Sequence, residues 1–315
     1  MSLGALGYVG YGVEVTDGVF VAPTKWLPVS SFSFEDSNDF IVPDQIRHSR
    51  DRYIAMAAPY VVSGSMEMEL IPTDVASLLK SAFAATVSSG AYGAGGYEHV
   101  MTPGSEEPTF TFESSAADVL VMRYSGVRVN TLEIKAAYGE IVTASFGLEG
   151  TNRAKQGSAG SPSYSNVVPF HFSGVDIKVA SGTLLTTVKE FTFGVNNNME
   201  RIGTLRKTRS WKRMALGMRE VTLSLTIDFT DTSEYDRFLN ETIFDVDIHM
   251  TSTTVAGGAV PSTLRIEIPN VRWNKVAVPL SAGDYLEQSV EALIVAPTGS
   301  PIFTATLINS ENTVA

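Results

Sequence analysis

The chain is 315 residues long, 44% hydrophobic and 18% charged, with a formal net charge of −11. That length is too great for one typical core and comfortable for two, and no charged block is long enough to form a disordered tail. The acid excess sets the molecule as a whole against nucleic acid, and the lack of any cysteine excludes disulfides, thiolate zinc sites and a cysteine nucleophile.

The opening MSLGALGYVGYGVEV lacks the basic start and long apolar run of a secretory signal, so synthesis and assembly in a cytoplasm are expected. No apolar run is long enough to span a bilayer, so no membrane partner is expected. VSSFSFEDSND (Val29–Asp39) reads as a strand, followed by the mixed-charge stretch DQIRHSRDRY (Asp44–Tyr53). SMEMELI alternates Ser65, Glu67 and Glu69 with Met66, Met68 and Leu70, which predicts a strand with one wet and one dry face. Thr73 and Asp74 then open a helical pattern over Val75, Leu78, Leu79, Ala82 and Phe83. Glycine-rich GAYGAGG (Gly90–Gly96) lacks the Gly-Lys-Ser/Thr of a phosphate loop and reads as a surface loop. TFTFES and GVRVNTLEI return to alternation, and polar NRAKQGSAGSPSYSN (Asn152–Asn166) reads as a linker.

Beyond the linker the pattern starts again. VKEFTFGVNNN matches VSSFSFEDSND, with Phe191 and Phe193 standing 159 residues after Phe32 and Phe34. WKRMA (Trp211–Ala215) matches YIAMA (Tyr53–Ala57), and VTLSLTIDF repeats the alternation. DTSE (Asp231–Glu234) offers a helix cap before Tyr235, Phe238, Leu239 and Ile243. NVRWNKVAV then lies over GVRVNTLEI, and GDYLEQSVEALI over GEIVTASFGLEG, both at an offset of 144 residues. Four blocks in one order identify a duplication, and the smaller late offset places an insertion in the first copy, with Tyr92–Pro108 the evident site. The fold expected is mainly β: two tandem β-sandwich or barrel domains, each with one flanking α-helix and a long hairpin arm. The boundaries read are 1–151 for the first domain, 152–166 for the linker and 167–315 for the second.

No chemistry-bearing pattern accompanies the repeat. His48, His99, His171 and His249 have no metal-ligand spacing. There is no GxSxG elbow, and Glu67 with Glu69 is an ordinary solvated strand face rather than a carboxylate pair. Neither a catalytic site, a metal nor a cofactor is expected. One anomaly is MERIGTLRKTRSWKRMALGMR (Met199–Arg219), where Arg201, Arg206, Lys207, Arg209, Lys212, Arg213 and Arg219 face Glu200 alone. Trp211 among these cations would suit a stacked base, a solvated face is the plainer reading, and acidic surface on another copy of the chain is the third. The first copy's counterpart carries Arg47, Arg50 and Arg52. Each such segment is too long for a plain loop and is expected to project and grip a neighbour.

GYVGYGVEVTDGVFVAPTKWLPVSSFSFE resembles the opening of bacteriophage major tail tube proteins. FSGVDIKVASGTLLTTVKEFTFGVNNNMER and IPNVRWNKVAVPLSAGDYLEQSV are similar to later parts of the same family, so the resemblance covers nearly the whole chain. It implies a virion structural protein without enzymatic activity, whose sheets join those of neighbours around a channel for the genome. Single-domain members resemble hexameric rings, so a two-domain chain implies trimeric rings with pseudo-sixfold symmetry. The partners implied are further copies of the chain and tail proteins such as the tape measure, terminator and baseplate or tip, with DNA passing through unbound. Rival readings are a tail terminator or the inner tube of a contractile injection machine, and, further off, a carbohydrate-binding adhesin sandwich.

Overall fold

A computed structural model describes residues 4–117, 119–180, 182–205, 207–256, 260–280 and 285–314. The first half holds β1 (Tyr8–Val13), β2 (Lys25–Leu27), β3 (Val29–Ile41), β4 (Met56–Glu69), α1 (Ala76–Ala82), β5 (Ala85–Tyr92), β6 (Gly96–Pro103), β7 (Phe110–Ala116), β8 (Leu120–Ala137), β9 (Thr143–Gly150) and β10 (Asn152–Gln156). The second holds β11 (Val175–Val179), β12 (Thr183–Leu184), β13 (Val188–Asn196), β14 (Glu200–Ile202), β15 (Arg213–Ala215), β16 (Glu220–Asp228), α2 (Ser233–Leu239), β17 (Phe244–Ala256), β18 (Val260–Ala277), β19 (Glu287–Ile294) and β20 (Thr304–Asn309).

All pairings between these strands are antiparallel, and the two halves repeat one plan. β3–β4–β9–β8 in the first half corresponds to β13–β16–β19–β18 in the second. β2–β1–β7–β8–β10 likewise corresponds to β12–β11–β17–β18–β20. The long strands β8 and β18 therefore run through both layers of their sandwiches. Registers repeat as well. Thr131 faces Gly147 and Val129 faces Leu148, with Asn130 bulged out between them. At matched places Lys275 faces Glu291 and Trp273 faces Ala292, with Asn274 bulged. The asparagine shared by GVRVNTLEI and NVRWNKVAV is thus the bulge residue, which lets the strand bend while its alternation is kept on one face.

Alternation decides the layers. Met66, Met68, Leu132, Ile134, Phe146, Phe191, Phe193, Leu223, Leu225 and Val290 all point to one side and are buried. Burying a side chain of this size contributes roughly 1.5–3 kcal/mol, which is why a one-residue slip is not tolerated here. TFTFES departs from the expectation: Phe110, Thr111, Phe112 and Glu113 are all buried, on both faces of β7. Its outer face is closed by the segment after β1, where Glu14 accepts hydrogen bonds from Thr111 Oγ1, Gly126 N and Gly18 N at 2.8, 2.9 and 2.8 Å. Gly126 has φ 61°, and a Cβ there would lie 2.0 Å from Thr151 Oγ1, so β8 turns between the two layers on a true glycine position.

The two helices fall where the spacing placed them, but only α1 is enclosed. Ala76, Ser77, Leu78, Leu79, Ser81 and Ala82 are buried, whereas on and after α2 Leu239 is 61% exposed and Ile243 52%. Both helices are followed by a left-handed residue, Ala84 (φ 45°) and Glu241 (φ 50°). The insertion in the first half is the whole β5–β6 hairpin rather than Tyr92–Pro108 alone. GAYGAGG is its tip, with Gly90–Tyr92 and Gly96 in the paired strands and the turn at 93–95, where Gly93 and Gly95 have φ 58° and 84°. Its size was hidden in the sequence because β17, with 13 residues, is longer than its counterpart β7, with 7, which pulls the offsets back.

The halves are joined by strand pairing. β13 adds to β8, Phe193 facing Ile134 and Asn196 facing Thr131, which makes one continuous sheet in the order β3–β4–β9–β8–β13–β16–β19–β18. β6 of the inserted hairpin adds to β20, Met101 facing Ala305. The buried side chains of both halves form a single cluster across these joins. Of the expected linker, Asn152–Gln156 is strand β10, paired with β8.

Candidate assembly surfaces

The basic segment begins where β13 leaves the sheet and ends where β16 enters it. β14 and β15 pair across its base, Arg201 facing Met214, and Met214 is buried beneath. The rest lies down across the β3–β4 hairpin of the first half. Arg209 Nε donates to the Ala58 carbonyl at 2.6 Å and its Nη2 to Asn38 Oδ1 at 3.1 Å. Trp211 Nε1 donates to the Tyr60 carbonyl at 2.9 Å, and the Arg209 guanidinium lies 5.7 Å from the Tyr60 ring. Arg153 from β10 shares both acceptors, reaching Asn38 Oδ1 at 3.0 Å and the ring at 4.9 Å. Arg219 Nη2 reaches the carbonyls of Phe83 and Gly104 at 2.9 and 2.8 Å, and burial lowers its affinity for a proton. The tryptophan that suited a stacked base in the sequence is therefore occupied within the chain.

Arg201 is also held internally, its Nη2 2.5 Å from Glu149 Oε2. Burial raises the Glu149 pKa, and Arg201 opposes that rise. With the folded pKa above the unfolded one, this carboxylate is least costly to the fold below its unfolded pKa, and stability falls as pH climbs toward and through the folded pKa. Removing the cation widens that window. We expect Arg201→Met to cost roughly 1.5–3 kcal/mol at neutral pH, as for a hydrogen bond between charged groups, with a smaller loss at pH 5 than at pH 8. Urea melts of both proteins at the two pH values measure it.

The other expected contact residues divide by exposure. Lys207, Lys212 and Arg213 are exposed, and none of the three has an ion pair among the described residues. Arg206 lies outside the described residues. In the first half Arg50 and Arg52 are exposed in the loop between β3 and β4, while Arg47 stacks 3.6 Å over the Tyr53 ring. The loop tips match: His48 and Lys207, 159 positions apart, are both left-handed, with φ 54° and 57°. Cations from both halves thus gather around the end of the β3–β4 hairpin.

Arg128 and Arg272, which match in sequence, take different parts. Arg128 is buried, with Nη2 2.9 Å from Asp17 and Nε 2.9 Å from Glu107 at an angle too poor for a hydrogen bond. Arg272 is exposed. Asn130 accepts from Met199 N at 2.9 Å, across the join of the halves. His99, buried between β6 and β20, contacts Ser89 Oγ through Nδ1 at 2.8 Å and the Glu311 carbonyl through Nε2 at 2.9 Å. It pins the inserted hairpin to the second half. Among the described residues no group of three or more His, Asp or Glu is placed to hold a metal, and no helix is long and apolar enough to cross a membrane.

The face of the eight-stranded sheet turned away from the core is built of hydroxyls and acids. Ser65, Glu67, Glu69, Thr131, Glu133, Thr192, Thr222 and Ser289 stand on it. Three of its cations are matched, Lys135 lying 2.8 Å from Glu190, Lys189 2.9 Å from Glu287 and Lys275 2.5 Å from Glu291, while Arg272 stands exposed on the same face beside Leu293. The net character is acidic, smooth and free of aromatic groups. No curated relative matches the chain. The model of one family, described as phage tail tube protein, matches residues 4–292, which takes in the first copy of the repeat, most of the second, both helices and the eight-stranded sheet up to the last two residues of β19; the chain belongs to the phage tail tube protein family.

Proposed function

We propose that the chain builds the hollow tail tube as stacked rings of three copies, two domains from each chain giving pseudo-sixfold symmetry. The observation that carries this reading is the continuous eight-stranded sheet, apolar on one face and acidic on the other, with an open edge at either end. Open edges seek partners, and a head-to-tail contact either closes into a ring or propagates as a filament. The acidic face supplies a channel wall that repels phosphate, so DNA passes without the multiple neutralised contacts that make binding strong. The repeating unit is then residues 1–151 extended by β10, followed by the remainder of 152–166 and by 167–315. Assembly takes place in the bacterial host, where the tube meets the terminator, tape measure and tip proteins.

Concentrated pure protein should form long hollow tubes by negative-stain microscopy. Discrete rings that never elongate favour a terminator instead. The exposed cations Lys207, Lys212 and Arg213, with Arg50 and Arg52, are assigned to contacts with acidic surface on another subunit, where opposite charge steers and registers docking. Reversing Lys207, Lys212 and Arg213 to Glu should leave a folded chain that makes no long tubes. Tubes of normal length from that variant would remove the arm from the assembly contacts.

A further inference from the structure

We infer that the free edge of β3 in one chain pairs antiparallel with the free edge at the end of β18 in a second copy, repeating between chains the join that β13 and β8 make within each chain. This rests on reading the chain as a tube subunit. β3 and β18 are the two ends of the continuous sheet, and they are the counterparts of β13 and β8 by sequence, by pairing order and by register. One molecule therefore carries both halves of the contact in addition to a worked example of it.

The register follows from that example. Phe193 facing Ile134 becomes Phe34 facing Val278, Phe191 facing Ala136 becomes Phe32 facing Leu280, and Asn196 facing Thr131 becomes Ser37 facing Lys275. Residues 278–280, outside β18 in the single chain, extend it on pairing.

Burial supports the same occupant. At the internal join Phe191 and Phe193 are 2% and 0% exposed, but Phe32 and Phe34 are only partly buried. The helices differ in the same sense. The second half reaches the end of α1 through Asn197 Nδ2, which donates to the Ala82 carbonyl at 2.8 Å, and through Phe303, whose ring lies 4.9 Å from that of Phe83; β5 covers a further side. Leu239, which stands where α1 has Ala82, is exposed. A second copy seated on β18 covers that end of α2 with its first half. The β6–β20 pairing has no counterpart, because only the first half carries the β5–β6 hairpin. The joint between chains is thus the weaker of the two, and tubes should come apart into whole chains.

The chain has no native cysteine, so thiol crosslinking reads the register without background. Directly opposite residues lie roughly 4.5–5.5 Å apart at Cα, within reach of a disulfide, whereas a shift of two places on one face puts Cα atoms about 7–8 Å apart. Assembled tubes of S37C/K275C, oxidised mildly, should give a reducible ladder of linked chains, and S37C/A277C should not. N196C/T131C should close within the monomer and so verify the internal template. Tubes in which S37C/K275C stays unlinked, or S37C/A277C links instead, would overturn the pairing. So would a protein other than this chain found on the β3 edge. A wild-type chain that makes no tubes overturns the tube reading itself, and the micrograph shows this before any thiol is oxidised.

Discussion

Phe303→Ala should destabilise the chain by about 3–5 kcal/mol, as large aromatic truncations in closed cores do, and should shift the unfolding of both halves together. Phe303 is fully buried just before β20, in the second half. Its ring meets Phe83, at the end of α1 in the first half, at 4.9 Å, and Phe193 of β13 at 5.6 Å, both edge-on. Edge-to-face pairs contribute roughly 0.5–1.5 kcal/mol beyond the area they bury. Phe193 cannot collapse into the space left, because β13 is held on both sides by β16 and β8. Trp26, against Tyr8, reports on the first half, and buried Trp273 on the second. Denaturant melts of variants keeping only Trp26 or only Trp273, with Trp211 replaced in both, should show one transition, displaced equally for both probes with an unchanged slope. A shift confined to Trp273 would mean that the halves unfold separately and that the continuous core has little energetic weight.

The duplication was legible because a strand writes its burial at every second residue, and the matched registers at Asn130 and Asn274 are that rhythm seen in three dimensions. What stayed hidden involves partners remote in sequence. Nothing local in TFTFES tells that the loop after β1 will close the outer face of β7, so alternation was expected where both faces are buried. The pairing of β8 with β13 uses backbone groups that every strand has, and leaves no side-chain signature beyond the paired phenylalanines. For the basic segment, the charge run was visible but not the carbonyl oxygens of Ala58 and Tyr60 that take Arg209 and Trp211. An indole amid cations was the available clue, since a tryptophan N–H that leaves water must find an acceptor. Sequence also set the helical stripe of α2 against a core, yet Tyr235, Leu239 and Ile243 remain exposed. In the proposed joint between copies, the partner that would bury this stripe is the next chain.

That stripe makes the sharpest prediction about assembly. Leu239→Lys with Ile243→Lys should abolish tube formation while leaving the monomer intact. Both side chains are exposed in the single chain, at 61% and 52%, so the melting of the monomer should change little, within about 0.5 kcal/mol for surface positions. In the proposed joint between copies Leu239 becomes the counterpart of Ala82 at the enclosed end of α1, and Ile243 lies just beyond the same end of α2. Both side chains are already partly covered, so completing their burial stabilises by roughly 2–3 kcal/mol per joint, and lysine replaces that gain with the cost of desolvating a charge that has no partner. Since each 1.4 kcal/mol is about tenfold in an association constant, the concentration needed for polymerisation should rise at least ~100-fold. Sedimentation across a concentration series reads that threshold, and far-UV circular dichroism of the unassembled protein checks its fold. The comparison with reversal of Lys207, Lys212 and Arg213 separates two kinds of contact. If the helix faces the neighbour within a ring, the lysine variant yields neither rings nor tubes at any salt concentration, because burial is not screened. The arm variant keeps the sheet edges and α2 unaltered, so it retains rings, and its failure to elongate eases as salt screens the introduced repulsion. Tubes from the lysine variant at the wild-type threshold would place α2 on the outer surface and sever the exposed stripe from assembly.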